Sequence, residues 1–222
     1  MSLAPIEIET GPRPTASVVL MHGLGADGND FVPIVKELDL AGIEGGVRFV
    51  FPNAPVMPVS LNNGYPMPAW YDIYPGADIA RREDEAGLRR SQAAIEALIA
   101  NEKARGIAAG RIVVAGFSQG CAMALMTGLR HAESLAGIVG LSGYLPLAPL
   151  LAAERSEANR ATPIFLAHGE QDGVVIMPRA VMSRDALVAA GHPVEWHTYP
   201  MAHSVCMEEI DDLGAFLRRV LA

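Results

Sequence analysis

A serine between two glycines stands where an apolar segment meets a helix-like segment, and these residue types point to nucleophilic catalysis. In "RIVVAGFSQGCAMALMTGL", residues 116–120 read GFSQG, a GxSxG pattern in a strand–turn–helix context. A tight turn would lift the Ser118 hydroxyl above a sheet, and side chains at the flanking Gly116 and Gly120 would clash with neighbouring backbone. Amides at the start of the helix would face a developing oxyanion. The alternative is a serine that only caps the helix.

A nucleophilic serine requires a general base and a carboxylate that orients this base. Two downstream loops supply them in the chain order serine, acid, histidine. Asp172 lies in "GEQDGVV" after the strand-like "TPIFLAH", and His203 follows the strand-like "VEWHTYP". Open α/β sheets place their sites at the carboxyl ends of strands, so both positions fit a site. Glu170 in the same loop as Asp172 is the alternative acid.

The other histidines and Cys121 have structural interpretations. His197 lies inside a strand-like segment and is expected to be partly exposed, whereas His168 ends a strand as a hydrogen-bonded core or supporting group. His131 and His192 are expected at helix ends on the surface. Cys121 lies one turn into an apolar helix and is expected to be a buried small hydrophobe, not a nucleophile.

A second glycine pattern, Gly23, Gly25 and Gly28 in "MHGLGADGND", has the spelling of a dinucleotide-binding fingerprint. It follows the apolar "ASVVLM" and precedes the helix-like "NDFVPIVKEL". A nicotinamide or flavin site also needs an acid after the second strand to bind the ribose. Here that strand, "VRFVFP", leads into Asn53, and the carboxylates of the glycine loop would face the pyrophosphate. The glycines therefore predict no cofactor.

Short apolar segments alternate with segments of helical spacing along the chain. The predicted strands are "IEIE", "ASVVLM", "VRFVFP", "RIVVAG", "LAGIVGLS", "TPIFLAH" and "VEWHTYP", and the predicted helices cover 29–40, 82–105, 118–131, 177–190 and 206–221. Asn29 or Asp30 is the expected N-cap of the first helix. Mostly apolar strands are typical of a parallel sheet covered on both faces, so an α/β fold with one domain over residues 1–222 is expected.

Residues 53–78 interrupt this alternation with five prolines and four aromatic residues. A loop of this length in a globular chain is usually functional or disordered, and its aromatic and methionine content argues against disorder. The segment is interpreted either as an ordered surface loop or as a wall over a site.

Composition excludes several classes of function. Half of the residues are hydrophobic, which is enough for a large core, and the net charge of −8 argues against nucleic acid and against a polybasic membrane-surface module. No apolar run has the length of a membrane span, and no secretory signal is evident. Metal-binding CxxC and HExxH patterns are absent. Cys121 and Cys206 fit free thiols in a reducing compartment, with a single disulfide as the alternative, and a cytoplasmic protein is expected.

Six blocks carry a family resemblance over nearly the whole chain: "HGLGADGNDF", "FPNAP", "AWYDI", "GFSQGCAMAL", "HGEQDGVV" and "YPMAHSV". In this order they resemble the bacterial carboxylesterase and acyl-protein thioesterase group of α/β-hydrolases, the phospholipase/carboxylesterase family. The resemblance implies an α/β-hydrolase fold without a large cap domain, and no cofactor or metal. It also implies a triad of Ser118, Asp172 and His203, with the backbone amides of Leu24 and Gln119 as the oxyanion hole.

Under this resemblance the glycine loop serves the oxyanion, and Asp27 and Asp30 serve loop structure and helix capping. Cys121 and Ala202 depart from the family pattern, because glycine is common at both positions. Neither change removes a catalytic group, so the departures bear on fine specificity.

The expected activity is hydrolysis of carboxylic esters through an acyl-enzyme. Acyl-protein thioesterase or lysophospholipase activity is the alternative, and a non-catalytic binding protein with a hydrolase fold is a distant one. Trp70, Tyr71 and Met67 are expected to bind substrate and to favour short to medium acyl chains. The expected partners are small ester or acyl-thioester substrates, with the protein acting as a monomer or homodimer.

Overall fold

The computed structural model describes residues 5–76 and 82–222. In chain order its strands are β1 (Ile6–Glu9), β2 (Ala16–Met21), β3 (Val47–Phe51), β4 (Val56–Val59), β5 (Tyr65–Pro68), β6 (Ile112–Phe117), β7 (Gly137–Leu141), β8 (Ile164–Gly169) and β9 (Val194–Tyr199). Its α-helices are α1 (Glu85–Ala104), α2 (Gln119–Gly128), α3 (Leu151–Glu154), α4 (Met177–Ala189) and α5 (Met207–Leu221). All seven predicted strands and four of the five predicted helices are confirmed.

Seven strands form one sheet in the order β1-β3-β2-β6-β7-β8-β9. Only β1 pairs antiparallel, with β3, and every other neighbouring pair is parallel. From β2 the chain first adds β3 on one side and later adds β6 and its successors on the other side. Ligands of open α/β sheets bind where the strand order reverses in this way, so the loops after β2 and β6 are placed to form a site.

Helices cover both faces of this sheet, as the apolar strands predicted. Val19 and Met21 of β2 pack in the same cluster as α1, α2 and α4, whereas Val18 and Leu20 pack in the cluster of α5. Alternate residues of a strand point to opposite faces, and β2 is buried throughout because both faces are covered.

The helix predicted for 29–40 is reduced to a 3₁₀-helix, Val32–Lys36. Phe31 precedes it without a side-chain cap, so the prediction that Asn29 or Asp30 caps a helix is wrong. Asp27 explains the difference, since its carboxylate accepts from the Asn29 amide at 2.8 Å and its carbonyl accepts from the Asp30 amide at 3.1 Å. These two bonds close turns over the residues that were expected to begin the helix, which confirms the loop role of Asp27 but not the capping role of Asp30.

Residues 53–78 were expected to form a loop, but β4 and β5 form an antiparallel hairpin there, with Pro58 opposite Pro66. Proline lacks the backbone donor of a strand, which is why the sequence predicted a loop. Prolines are tolerated here because the ribbon has only two strands, so each has a free edge. Residues 77 and 78 lie outside the described residues. Elsewhere in the described ranges the strands are joined by loops and helices without a separate cap domain.

Candidate active site

Ser118 sits in the sharp turn between β6 and α2. Its backbone has φ 57° and ψ −115°, a conformation that is strained for a residue with a side chain. A Cβ atom on Gly116 would overlap the Gly120 carbonyl oxygen, and one on Gly120 would overlap the Met21 carbonyl oxygen. The predicted clash at both flanking positions is therefore confirmed. The Ser118 side chain forms no cap hydrogen bond with α2, so the simple N-cap interpretation is wrong.

His203 bridges the serine and a buried carboxylate. Its Nε2 lies 2.9 Å from Ser118 Oγ, and its Nδ1 lies 2.7 Å from Asp172 Oδ2. The Asp172 side chain is fully buried, and its Oδ1 accepts from the amides of Val174 and Val175 at 2.8 and 2.9 Å. With Nδ1 facing the carboxylate oxygen and Nε2 facing the serine hydroxyl, the arrangement can hold a proton on Nδ1 and accept one from Ser118 on Nε2.

The loop that carries His203 reaches the serine by crossing the end of β8. The Met201 carbonyl oxygen accepts from the Gln171 amide at 3.0 Å, which ties the two loops together. A Cβ atom on Gly169 would overlap the Ala202 carbonyl oxygen, so the crossing requires glycine at the end of β8. The imidazole of His203 then packs on the Phe117 ring, with ring centroids 4.8 Å apart.

The two predicted oxyanion donors lie on either side of the strand-order reversal. A Cβ atom on Gly23 would lie 3.4 Å from Ser118 Cβ, so the glycine loop after β2 passes beside the serine. Gln119 is the first residue of α2, and its amide therefore has no intrahelical acceptor. The amide of Leu24 likewise donates to no acceptor within residues 5–76 and 82–222. Both donors remain available to a ligand.

The alternative acid and the nearest other histidine lie around the site but outside the serine–histidine contact. Glu170 is exposed and accepts from the Thr198 hydroxyl at 3.1 Å. His168 is buried, its Nε2 donates to the Val175 carbonyl at 2.8 Å, and the same nitrogen lies 3.5 Å from Asp172 Oδ2. Burial lowers the pKa of His168, which keeps the ring neutral. The expectation of a hydrogen-bonded core histidine is confirmed.

The expectations for His197 and Cys121 are confirmed, whereas those for His131 and His192 are wrong. His197 is half-buried on β9, and Cys121 is buried with a pKa raised to about 12 by desolvation, both as expected. His131 and His192 are not surface residues, being only 6 % and 4 % exposed. His131 stays inside because all ten residues of α2 before it are buried, and its Nδ1 pairs with Glu96 at 2.6 Å.

The three predicted substrate-binding residues occupy different environments. Trp70 and Tyr71 are 1 % and 2 % exposed, and the Tyr71 hydroxyl is hydrogen-bonded to that of Tyr144 at 2.6 Å. Met67 is half-buried, and its Sδ would lie 3.7 Å from a Cβ atom on Gly25. Of the three side chains, only Met67 has appreciable exposure beside the glycine loop.

His22 was missed by the sequence reasoning. It is buried at the end of β2, its Nδ1 lies 2.7 Å from the Gly23 carbonyl oxygen, and its Nε2 accepts from the Ala54 amide at 3.0 Å. These partners fix a neutral ring with the proton on Nδ1, and burial lowers the pKa of His22 accordingly. A polar residue between an apolar strand and a glycine loop was the available signal.

The described ranges contain neither a cluster of metal ligands nor a membrane-spanning helix. No group of three His, Cys, Asp or Glu side chains in 5–76 and 82–222 could hold a metal ion. None of the helices in these ranges combines the length and the apolar character needed to cross a bilayer. Cys121 and Cys206 both carry free thiols.

Comparisons with known proteins cover nearly the whole chain. A family model described as phospholipase/carboxylesterase matches residues 5–221. Acyl-protein thioesterase 1 of Yarrowia lipolytica is 42 % identical over 202 residues, which are 90 % of this chain and 89 % of the relative. Acyl-protein thioesterase 1 of Neurospora crassa is 43 % identical over 220 residues, 96 % of this chain and 90 % of the relative. The crystal structure of acyl-protein thioesterase 2 from Zea mays matches with a TM-score of 0.87 at 30 % identity, covering 98 % of this chain and 99 % of that one. The chain is therefore an enzyme with the α/β-hydrolase fold and belongs to the phospholipase/carboxylesterase family.

Proposed function

We propose that this protein is a serine hydrolase that cleaves acyl thioesters and esters through an acyl-enzyme on Ser118. The observation that supports it is the imidazole of His203, which lies 2.9 Å from Ser118 Oγ and 2.7 Å from Asp172 Oδ2. A serine, a histidine and a buried carboxylate in this order of contact are the arrangement that activates a hydroxyl for acyl transfer.

In the first half of the proposed reaction, His203 Nε2 takes the hydroxyl proton while Ser118 Oγ attacks the acyl carbonyl carbon. The oxyanion accepts from the amides of Leu24 and Gln119, and Asp172 stabilises the imidazolium. Collapse breaks the bond between the acyl carbon and the leaving group, and the proton on His203 passes to the departing oxygen or sulfur, which leaves as an alcohol or a thiol. In the second half, water attacks the acyl-enzyme, His203 accepts its proton, and the carboxylic acid departs with Ser118 restored.

Acyl thioesters are the first proposed substrate class, because two relatives that are 42 % and 43 % identical are named acyl-protein thioesterases. Carboxylic esters are the second, favoured by the phospholipase/carboxylesterase description of the family. The predicted preference for short to medium chains depended on Trp70, Tyr71 and Met67. Since Trp70 and Tyr71 are buried, Met67 alone of these three carries that preference.

The nucleophile is tested with a fluorophosphonate probe followed by peptide mass mapping. We expect the adduct on Ser118 in the wild type and in Ser134→Ala, a matched control at an exposed serine, and none in Ser118→Ala. An active wild type without an adduct on Ser118 would refute the proposal. Absence of both labelling and turnover would support the non-catalytic alternative.

The substrate class is tested by kcat/KM for paired oxygen esters and thioesters with acyl chains from acetyl to lauryl. The thioester proposal predicts that the thioester of each pair is the better substrate. An advantage of long chains by orders of magnitude would refute the short to medium preference.

We also propose that residues 1–222 act as one domain in the cytoplasm, as a monomer or homodimer. Support for the compartment comes from the free thiols of Cys121 and Cys206, which suit a reducing environment. Sedimentation analysis measures the oligomeric state, and fractionation of the native cells measures the location.

A further inference from the structure

One buried residue, Trp70, joins the two loops that carry the proposed oxyanion donors. Its backbone amide donates to Gln119 Oε1 at 2.9 Å, and its indole Nε1 donates to the His22 carbonyl at 2.8 Å. Gln119 begins α2 directly after the serine, whereas His22 directly precedes the glycine loop. Trp70 therefore bonds to both sides of the site while it is itself only 1 % exposed.

The Gln119 side chain completes the connection on the serine side. Its Oε1 accepts from the Trp70 amide, and its Nε2 donates to the Tyr71 carbonyl at 2.7 Å. The primary amide thus bonds to two successive residues of one backbone segment, which fixes both its position and its orientation. Because this side chain belongs to the residue that supplies one oxyanion donor, the two bonds hold that backbone amide in place.

The glycine loop is held on both sides of the second donor, Leu24. The Gly23 carbonyl faces the His22 imidazole at 2.7 Å, and the Gly25 amide donates to the Pro68 carbonyl at 2.8 Å. The Leu24 amide between them is left without an acceptor in the described part of the chain. Pro68 lies two residues before Trp70, so the same segment anchors both loops.

A third contact fixes the segment to the rest of the protein. The Ser91 hydroxyl of α1 donates to the Trp70 carbonyl, and the Trp70 ring packs on the His22 ring with centroids 5.2 Å apart. Every backbone and side-chain polar group of Trp70 is thereby satisfied. Trp70 has fixed bonds to α1, to Gln119 at the start of α2 and to His22 before the glycine loop, and it therefore sets the distance between these elements.

We infer that Trp70 and the Gln119 side chain are positioning residues, which set the Leu24 and Gln119 amides at the separation that one oxyanion requires. The inference rests on the proposed function. Oxyanion stabilisation depends on donor placement, and a displacement of about 1 Å costs on the order of 100-fold in rate. The bonds of Trp70 act on neither His203 nor Asp172, so proton transfer is left unchanged.

The test uses Trp70→Phe, which loses the indole donor, and Gln119→Met, which loses both side-chain bonds but keeps the backbone amide. For each we measure kcat, KM and the pH profile with p-nitrophenyl butyrate, and the Ki of a trifluoromethyl ketone, whose adduct with serine carries an oxyanion. We expect kcat to fall about 10- to 100-fold per labelled active site with KM nearly constant. The Ki should rise by the same factor, and the pH profile should keep its midpoint.

Trp196→Phe is the matched control, because it replaces the other tryptophan of the chain, whose indole donates no hydrogen bond within the described ranges. It should keep kcat and Ki at the wild-type values. Benzothienylalanine at position 70 replaces the indole N–H by sulfur at nearly constant shape, and it gives the same comparison if Trp70→Phe does not fold. A correctly folded variant with wild-type kcat and Ki overturns the inference.

Two further results separate the inference from the function on which it rests. If the wild type hydrolyses esters but its Ser118 is never labelled by fluorophosphonate, the proposed function fails. If Ser118 is labelled and the position-70 and position-119 variants lower only the melting temperature and the labelled fraction, these residues are structural and the positioning role alone is wrong.

Discussion

Glu209 in the first turn of α5 should make the protein less stable as the pH rises. Its side chain is 1 % exposed, and neither carboxylate oxygen has a hydrogen-bond partner in the described structure. The backbone amide of Cys206, at the N-cap of the helix, lies outside hydrogen-bond geometry of both oxygens and lowers the pKa of Glu209 only in part. Desolvation therefore raises the pKa of Glu209 from the usual 4.5 to about 8.

The direction of this pH dependence follows from how many protons the folded and unfolded states bind. Between 4.5 and about 8 the folded state holds a proton on Glu209 that the unfolded state has released, so the free energy of unfolding decreases as pH rises. A pKa shift of this size lowers the free energy of unfolding by roughly 5 kcal/mol over the full interval, at about 1.4 kcal/mol for each pH unit. From about pH 5.5 to about pH 7, the free energy of unfolding should therefore decrease by about 2 kcal/mol.

Glu209→Gln keeps the shape and removes the titration. Urea unfolding of both proteins should show the variant gaining stability relative to the wild type by about 2 kcal/mol between about pH 5.5 and about pH 7. Glu208→Gln is the control, because Glu208 is exposed in the same turn and its pKa is lowered, chiefly by a backbone hydrogen bond. The control removes the same formal charge beside the same helix dipole without the buried proton. A stability difference between Glu209→Gln and wild type that stays constant with pH would refute the reasoning.

Three further predictions concern the site. Asp172→Asn should lower kcat for p-nitrophenyl butyrate by roughly 10⁴-fold with the fold intact, because the wrong imidazole tautomer is stabilised; a loss below tenfold would contradict this. Gly169→Ala should destabilise the protein by about 1–3 kcal/mol in urea and lower kcat, because the added Cβ displaces the loop of His203, whereas unchanged kcat would show that the loop adapts. Iodoacetamide at mildly alkaline pH should modify Cys121 only after unfolding, because burial raises the pKa of this thiol to about 12. Mass mapping of the native protein checks this, and half-buried Cys206 is the internal comparison.

The residues proposed for catalysis could be predicted because each carries a local signal. Ser118 has its flanking glycines and its strand–turn–helix context within one short segment. Asp172 and His203 each follow an apolar strand, and a parallel sheet brings the ends of such strands to one edge. The sheet itself was predictable for the same reason, since its central strands are buried on both faces and are apolar at most positions.

The support of the site was not predictable, because it depends on contacts between distant parts of the chain. Gln119 is 49 residues from Trp70, and Trp70 is 48 residues from His22. Nothing in the periodicity of either segment indicates such a pair. Trp70 was instead interpreted as substrate-binding, because an aromatic residue in a proline-rich segment predicts an exposed loop. The hairpin that holds this segment inside was hidden by the prolines at its paired positions.

The strand order also explains why small residues are needed around the serine. Ser118 follows β6 and Asp172 follows β8, so their strands lie about 10 Å apart with β7 between them. His203 follows β9, one strand farther out, and its loop must cross back over β8 for the imidazole to contact both Ser118 and Asp172. The crossing is possible only because Gly169 has no side chain. The chain that leaves β7 passes under the serine at Gly143, where a Cβ atom would lie 2.8 Å from the Ser118 carbonyl oxygen. Position 169 thus determines whether the three side chains can meet, although it contributes no reactive group, and glycine at position 143 leaves room for the Cys121 side chain and the Ser118 backbone.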